Sequence, residues 1–109
     1  MRAVLDAFGG IDVLVYSAGV NVAERGLRAL SGENWDLVLA ANLTGAFNVA
    51  RAVLPSMRDR GQGLVVLIGS ISGMRPSTIS GAAYSAAKAA LTSLAVSISR
   101  EERGRNIRA

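Results

Sequence analysis

The residues best suited to chemistry are Tyr84 and Lys88. Lys88 is the only lysine in the sequence, and the rest of its 12 basic residues are arginines. It stands four places after Tyr84 in the alanine-rich run from Ala82 to Leu91. At that spacing two helical side chains share one face, one turn apart. A phenol ordinarily titrates near pH ~10, and an ammonium beside it is a way to make it exchange protons nearer neutrality. The pair therefore points to proton transfer. Two further polar residues stand out. Asn42 interrupts an apolar helical stripe (Trp35, Val38, Leu39, Leu43, Ala46, Val49, Val53), and a buried amide must find partners. It is either a structural amide bonded to nearby backbone or a site residue. Ser70 follows an apolar run directly and opens a loop.

Other chemistries lack their residues. There is no cysteine and no histidine, which removes disulfides, thiol catalysis and the commonest metal ligand. The acidic residues do not cluster, so no metal site is expected. The net charge is +4. Arg100, Arg103, Arg105 and Arg108 supply much of it and read as a solvated helix end, where cations suit the dipole. No aromatic-basic pattern suggests nucleic-acid binding. No run of ~18 apolar residues suggests a membrane span, and no secretory signal opens the chain. A cytoplasmic protein is the expectation.

The length of 109 residues allows one small domain. Residues 2–8 read as a short helix stopped by Gly9–Gly10. Ile11–Tyr16 is a β-branched, nearly continuous apolar strand, ending in the small residues Ser17, Ala18 and Gly19. After an irregular stretch, Ser31 caps a long helix with Glu33 in its first turn. Pro55 is expected to bend or loosen that helix, and Arg58 and Arg60 close it. Gly63–Gly69 is a second buried strand. A loop from Ser70 to Gly81 leads into a helix from Ala82 to about Arg103, and Asn106–Ala109 starts a third strand. Strands alternating with helices predict an α/β fold with a parallel sheet. In such sheets the functional loops lie beyond the carboxyl ends of the strands. Gly19, Asn42, Ser70 and Tyr84 are all expected there.

At this point the sequence resembles the short-chain dehydrogenase/reductase family over essentially its whole length. The matching segments are Phe8–Val15, Tyr16–Gly19, Trp35 through Asn42–Leu43–Thr44–Gly45, Ser70–Gly73 and Tyr84–Leu91. The resemblance implies a three-layer α/β fold, with residues 1–109 as part of a doubly wound Rossmann-like parallel sheet. It implies an NAD or NADP cofactor and a small-molecule alcohol/carbonyl substrate, with no nucleic-acid or membrane partner. By the same resemblance Tyr84 is the acid/base and Lys88 also binds the nicotinamide ribose. Ser70 donates to the substrate oxygen, and Asn42 anchors a water in a proton relay. Ala18 and Gly19 let the cofactor approach the backbone. Ser72 is the alternative to Ser70, whereas Arg75, Ser77 and Ser80 read as loop solvation. The wording is nearest to 3-oxoacyl-[acyl-carrier-protein] reductases, whose two long helices form a homo-oligomer, a tetramer or dimer.

Three departures accompany the match. Tyr16–Ser17 stand where the family has two asparagines, which should remove bonds tying the strand end to its neighbours. Ser70 lies fourteen residues before Tyr84 rather than thirteen. No glycine-rich phosphate turn joins a strand to a helix, since Gly61–Gln62–Gly63 precedes a strand. The sequence thus reads as a central fragment whose first strand has an unpaired edge. The alternative function is a truncated, inactive chain that keeps only the oligomerisation helices. A sugar-nucleotide epimerase also uses Tyr-x-x-x-Lys, but the Asn42–Gly45 helix argues against it.

Overall fold

Three parallel strands form the sheet, and they lie side by side in chain order. The computed structural model describes all of residues 1–109. It runs α1 (Arg2–Phe8), β1 (Val13–Tyr16), α2 (Gly32–Leu39), a π turn (Ala40–Thr44), α3 (Gly45–Arg60), β2 (Gly63–Leu67), a 3₁₀ turn (Ile71–Gly73), α4 (Ala82–Glu101) and β3 (Ile107–Arg108). Val13 to Tyr16 pair with Leu64 to Leu67, and Gly63 and Leu64 pair with Ile107 and Arg108. The α/β architecture with a parallel sheet is thus the one expected. β1 is an edge strand in this order, as the sequence also predicts.

Right-handed crossovers that step in one direction put both helical connections on the same face of the sheet. The core obeys that rule. Ala50, Val53, Leu54 and Met57 of α3 and Ile98 of α4 pack on Val65 and Ile107, with Leu14 and Leu67 beside them. Each large aliphatic side chain so buried contributes roughly 1.5–3 kcal/mol. On the other face of β1, Val13 and Val15 are exposed. The joined rod Gly32–Arg60 is long and apolar enough to cross a membrane by length and composition, which the sequence reading did not anticipate. Its inner stripe instead lies on the sheet.

Local signals behave as physics dictates at most boundaries. Ser31 Oγ accepts from the Asn34 N–H at 3.1 Å. Gly61 closes α3 in the left-handed conformation, φ 69°, a region open to glycine without a Cβ clash. Several expectations change. β1 begins at Val13 rather than Ile11. β2 ends at Leu67 rather than Gly69. α3 runs through Pro55 to Arg60, and the irregularity sits earlier, in the π turn around Asn42. α4 stops at Glu101, and the next residue turns inward.

That residue, Glu102, is 1% exposed. Arg58 Nε donates to both its carboxylate oxygens at 3.0 and 3.1 Å, and Arg58 Nη2 also reaches Oε1. Arg105 Nη1 lies 3.8 Å from Oε2. The hydrogen bonds from Arg58 hold the Glu102 carboxyl below its ordinary range, against the opposing effect of burial. Arg60 pairs with Asp12 at 2.8 Å. Arg105, expected as a solvated charge, and Arg58 and Arg60, expected only to close the long helix, therefore fasten the amino-terminal edge of the sheet.

Candidate active site

The opposite edge of the sheet gathers the ends of β1 and β2, the π turn and the first turns of α4. A π turn carries one more residue than an α-turn and is often found at functional sites. Here it presents Asn42, which is completely buried. Tyr16 helps to hold the turn, because its hydroxyl donates to the Ala41 carbonyl at 2.6 Å. Gly45 makes room for that ring: a Cβ there would run into the Tyr16 hydroxyl. The bonds expected to vanish with the family's asparagines are thus replaced by a phenol reaching a different neighbour.

Asn42 is committed through one side-chain atom and unpartnered at the other. Its Nδ2 donates to the Val20 and Val38 carbonyls at 2.7 and 2.8 Å, which is structural work. Its Oδ1 is buried without a hydrogen-bond partner. That oxygen lies against Gly19, where a Cβ would stand 2.6 Å from Oδ1 and 3.8 Å from Lys88 Nζ. Glycine at 19 is therefore required by side chains of the same molecule, and Asn42 and Lys88 converge over it.

Lys88 is 5% exposed. Its Nζ donates to the Ile68 carbonyl at 2.9 Å, at the end of β2. It lies 5.7 Å from the centroid of the half-buried Tyr84 ring, as the four-residue spacing predicts. No carboxylate forms an ion pair with it. An ammonium has three N–H donors, so two remain uncommitted.

Ser70, two residues beyond Ile68, is half-buried. Its Oγ accepts from the Ser72 N–H at 3.1 Å, which leaves its own O–H free to donate. The 3₁₀ turn that follows rests on α4. A Cβ on Gly73 would meet the Lys88 carbonyl carbon at 2.7 Å. Ser72 is buried and its hydroxyl shares a hydrogen bond with Ser80 Oγ, whereas the Ser70 hydroxyl only accepts within the chain. Ala18 is exposed at the mouth of the site. The largest cavity, about 560 Å³, is elsewhere: Arg25, Leu27, Pro76, Thr78 and Ala86 line it, on a neighbouring face of α4.

Two roles escaped the sequence reading. Tyr16 carried no signal except its unusual place after an apolar run, and Asn21, which bonds Ser80, carried none. As a seat for a nicotinamide and its ribose, the edge fits. It offers an ammonium with spare donors, an orphaned carbonyl oxygen and a glycine without side-chain bulk. For the pyrophosphate the chain offers no glycine-rich strand-to-helix turn.

Comparison with known proteins identifies the family. The model of the short chain dehydrogenase family matches residues 1–109, and the chain belongs to that family. It is 34% identical over 107 residues to the 3-oxoacyl-[acyl-carrier-protein] reductase FabG of Vibrio cholerae, covering 98% of this chain and 43% of that protein. It is 36% identical over 101 residues to a D-beta-hydroxybutyrate dehydrogenase of Rhizobium meliloti, covering 93% and 38%. The crystal structure of gox2181 superposes with a TM-score of 0.90 at 33% identity, covering 99% of this chain and 42% of that one. A Burkholderia xenovorans protein described as a short-chain dehydrogenase/reductase gives the same TM-score at 32% identity and the same coverage. The chain therefore spans less than half the length of these relatives. Its lineage is that of oxidoreductases with a Rossmann-like fold.

Proposed function

We propose that the carboxyl edge of this sheet is the proton-transfer centre of an NAD- or NADP-dependent oxidoreductase that interconverts an alcohol and a carbonyl. Tyr84 exchanges the proton with the substrate oxygen, and Ser70 donates its free O–H to that oxygen. Lys88 holds the nicotinamide ribose and supports Tyr84 electrostatically. Asn42 Oδ1 anchors a water beside Lys88, through which protons reach solvent. Ala18 and Gly19 border the cofactor. When bound, the nicotinamide supplies or accepts the hydride. The observation that carries this reading is the unpartnered Asn42 Oδ1 beside the Lys88 ammonium over Gly19, because a buried ammonium with one carbonyl partner and no counter-charge next to an orphaned amide oxygen is costly in a purely structural setting.

The two named relatives support a finer reading, a substrate oxidised or reduced at the third carbon of an acyl chain. Exposed Leu37, Phe47 and Val96 on the long helices favour a homo-oligomer. The second reading, an inactive chain that serves only as an oligomerisation element, rests on the same exposed apolar residues of the long helices. One experiment separates them: oxidation of NADH or NADPH by a 3-oxoacyl thioester, followed at 340 nm with the protein that carries this chain. Turnover that falls about 10²–10⁴-fold in Tyr84→Phe is the expected result. An oligomer with no turnover and no cofactor binding would leave the second reading standing.

A further inference from the structure

The loop after β2 is held by hydroxyls that the sequence alone assigns to solvent. Ser80 Oγ lies 2.6 Å from Ser72 Oγ and 3.1 Å from Ser77 Oγ, and the Ser80 N–H donates to Ser77 Oγ at 3.2 Å. The Ser80 carbonyl accepts from Asn21 Nδ2 at 2.9 Å. Asn21 folds its own Oδ1 onto the Val22 N–H, and its neighbour Val20 is the residue whose carbonyl Asn42 holds. At the other end, the Ser72 N–H donates to Ser70 Oγ. An unbroken path thus runs from Asn42 through Val20–Asn21, Ser80 and Ser72 to Ser70.

We infer that Ser80 is a positioning residue for Ser70, fixing the direction in which the Ser70 hydroxyl donates; this rests on the function proposed above. With the Ser72 N–H on its oxygen, the Ser70 side chain is held in one orientation, and its free O–H is aimed accordingly. That bond exists only while the 3₁₀ turn Ile71–Gly73 keeps its place. Three-residue 3₁₀ turns are weak by themselves, and Ile71 and Met74 on either side are exposed and give no apolar anchor. Two contacts pin the turn: Gly73 on the backbone of Lys88 and the Ser72 hydroxyl on Ser80. Ser80 holds the loop with its amide, carbonyl and hydroxyl at once. Through Asn21 it also locks this loop to the one that carries Gly19.

The test pairs a spectroscopic readout with kinetics in Ser80→Ala, Ser80→Thr, Ser77→Ala and Ser70→Ala. In Ser80→Ala the Ser72 amide is expected to exchange about 10-fold faster by NMR, as befits the loss of a hydrogen bond worth about one factor of ten. The value of kcat should fall by a similar factor of about 10 while KM changes less than about 2-fold, because the bond lost is one that acts in the transition state. Ser80→Thr, which restores a hydroxyl, should recover both. Unchanged Ser72 exchange and unchanged kcat in Ser80→Ala would overturn the inference. So would an equal loss in Ser77→Ala accompanied by a matching drop in Tm, which would mark a general loop effect. If Ser70→Ala turns over as fast as the parent, the catalytic reading itself fails. The Ser72 exchange then still decides whether Ser80 holds the turn.

Discussion

The molecule buries a charge at each edge of its sheet and treats the two in opposite ways. Glu102, at the amino edge, is surrounded by counter-charge: Arg58 grips both oxygens and Arg105 stands behind. Lys88, at the carboxyl edge, has only a backbone carbonyl and the face of an aromatic ring. Desolvating a charge is expensive, and only close partners repay it. Glu102 is fully repaid and has nothing left to offer a ligand. Lys88 is underpaired, and its spare donors sit beside an unpartnered oxygen. Both side chains are buried and carry a charge, though of opposite sign, so burial of a charge does not by itself set the two places apart. What differs is the unsatisfied capacity.

The sharpest way to break this contrast is Lys88→Met. Turnover should fall about 10²–10⁴-fold. The Tm should hold or rise, because a poorly paired ammonium is replaced by an apolar chain of similar length. A large fall in Tm would show that Lys88 is a structural residue like Glu102. Gly19→Ala should have the next largest effect, since its methyl would stand 2.6 Å from Asn42 Oδ1. Denaturant unfolding should show a loss of about 1–3 kcal/mol from overpacking, with turnover reduced as Asn42 is displaced.

The amino edge should respond in stability alone. Arg58→Met strands a buried carboxylate and should lower Tm by about 5–10 °C. Glu102→Gln removes the charge and keeps an acceptor, so it should lower Tm by roughly half as much. Neither should alter kcat per folded molecule. The smallest effect is the pH dependence. The Glu102 carboxyl is depressed in the folded chain below its ordinary value of 4.5. Its contribution is therefore complete above pH 4.5 and is lost as pH falls through the lower folded-state value, where the unfolded chain binds the extra proton. Urea midpoints measured downward from about pH 6 should drop more steeply in the parent than in Glu102→Gln.

Much of the site was legible because it is written in local periodicity. Tyr84 and Lys88 share a helix face by counting alone, and Asn42 announced itself as a polar break in an apolar stripe. The strands were legible as β-branched runs, and their parallel pairing followed from the helices between them. Other features were not. A π turn has no composition of its own, so Pro55 drew the expectation of irregularity that belongs to Ala40–Thr44. Arg58 and Glu102 are 44 residues apart, and no local rule joins a helix-end arginine to a glutamate one residue past another helix.

The sequence by itself determined on which edge of the sheet Gly19, Asn42, Ser70 and Lys88 would meet, because residue type, spacing and strand order are local or topological properties. Only the tertiary structure decided which polar groups are spent and which are free. Asn42 keeps an oxygen in reserve, Ser70 keeps a proton, Tyr16 is committed to the Ala41 carbonyl, and the arginines at the amino edge are committed to carboxylates. Satisfaction of a hydrogen bond or a charge is a property of two groups in space. For pairs separated by twenty to sixty residues, that proximity exists only once the chain has folded.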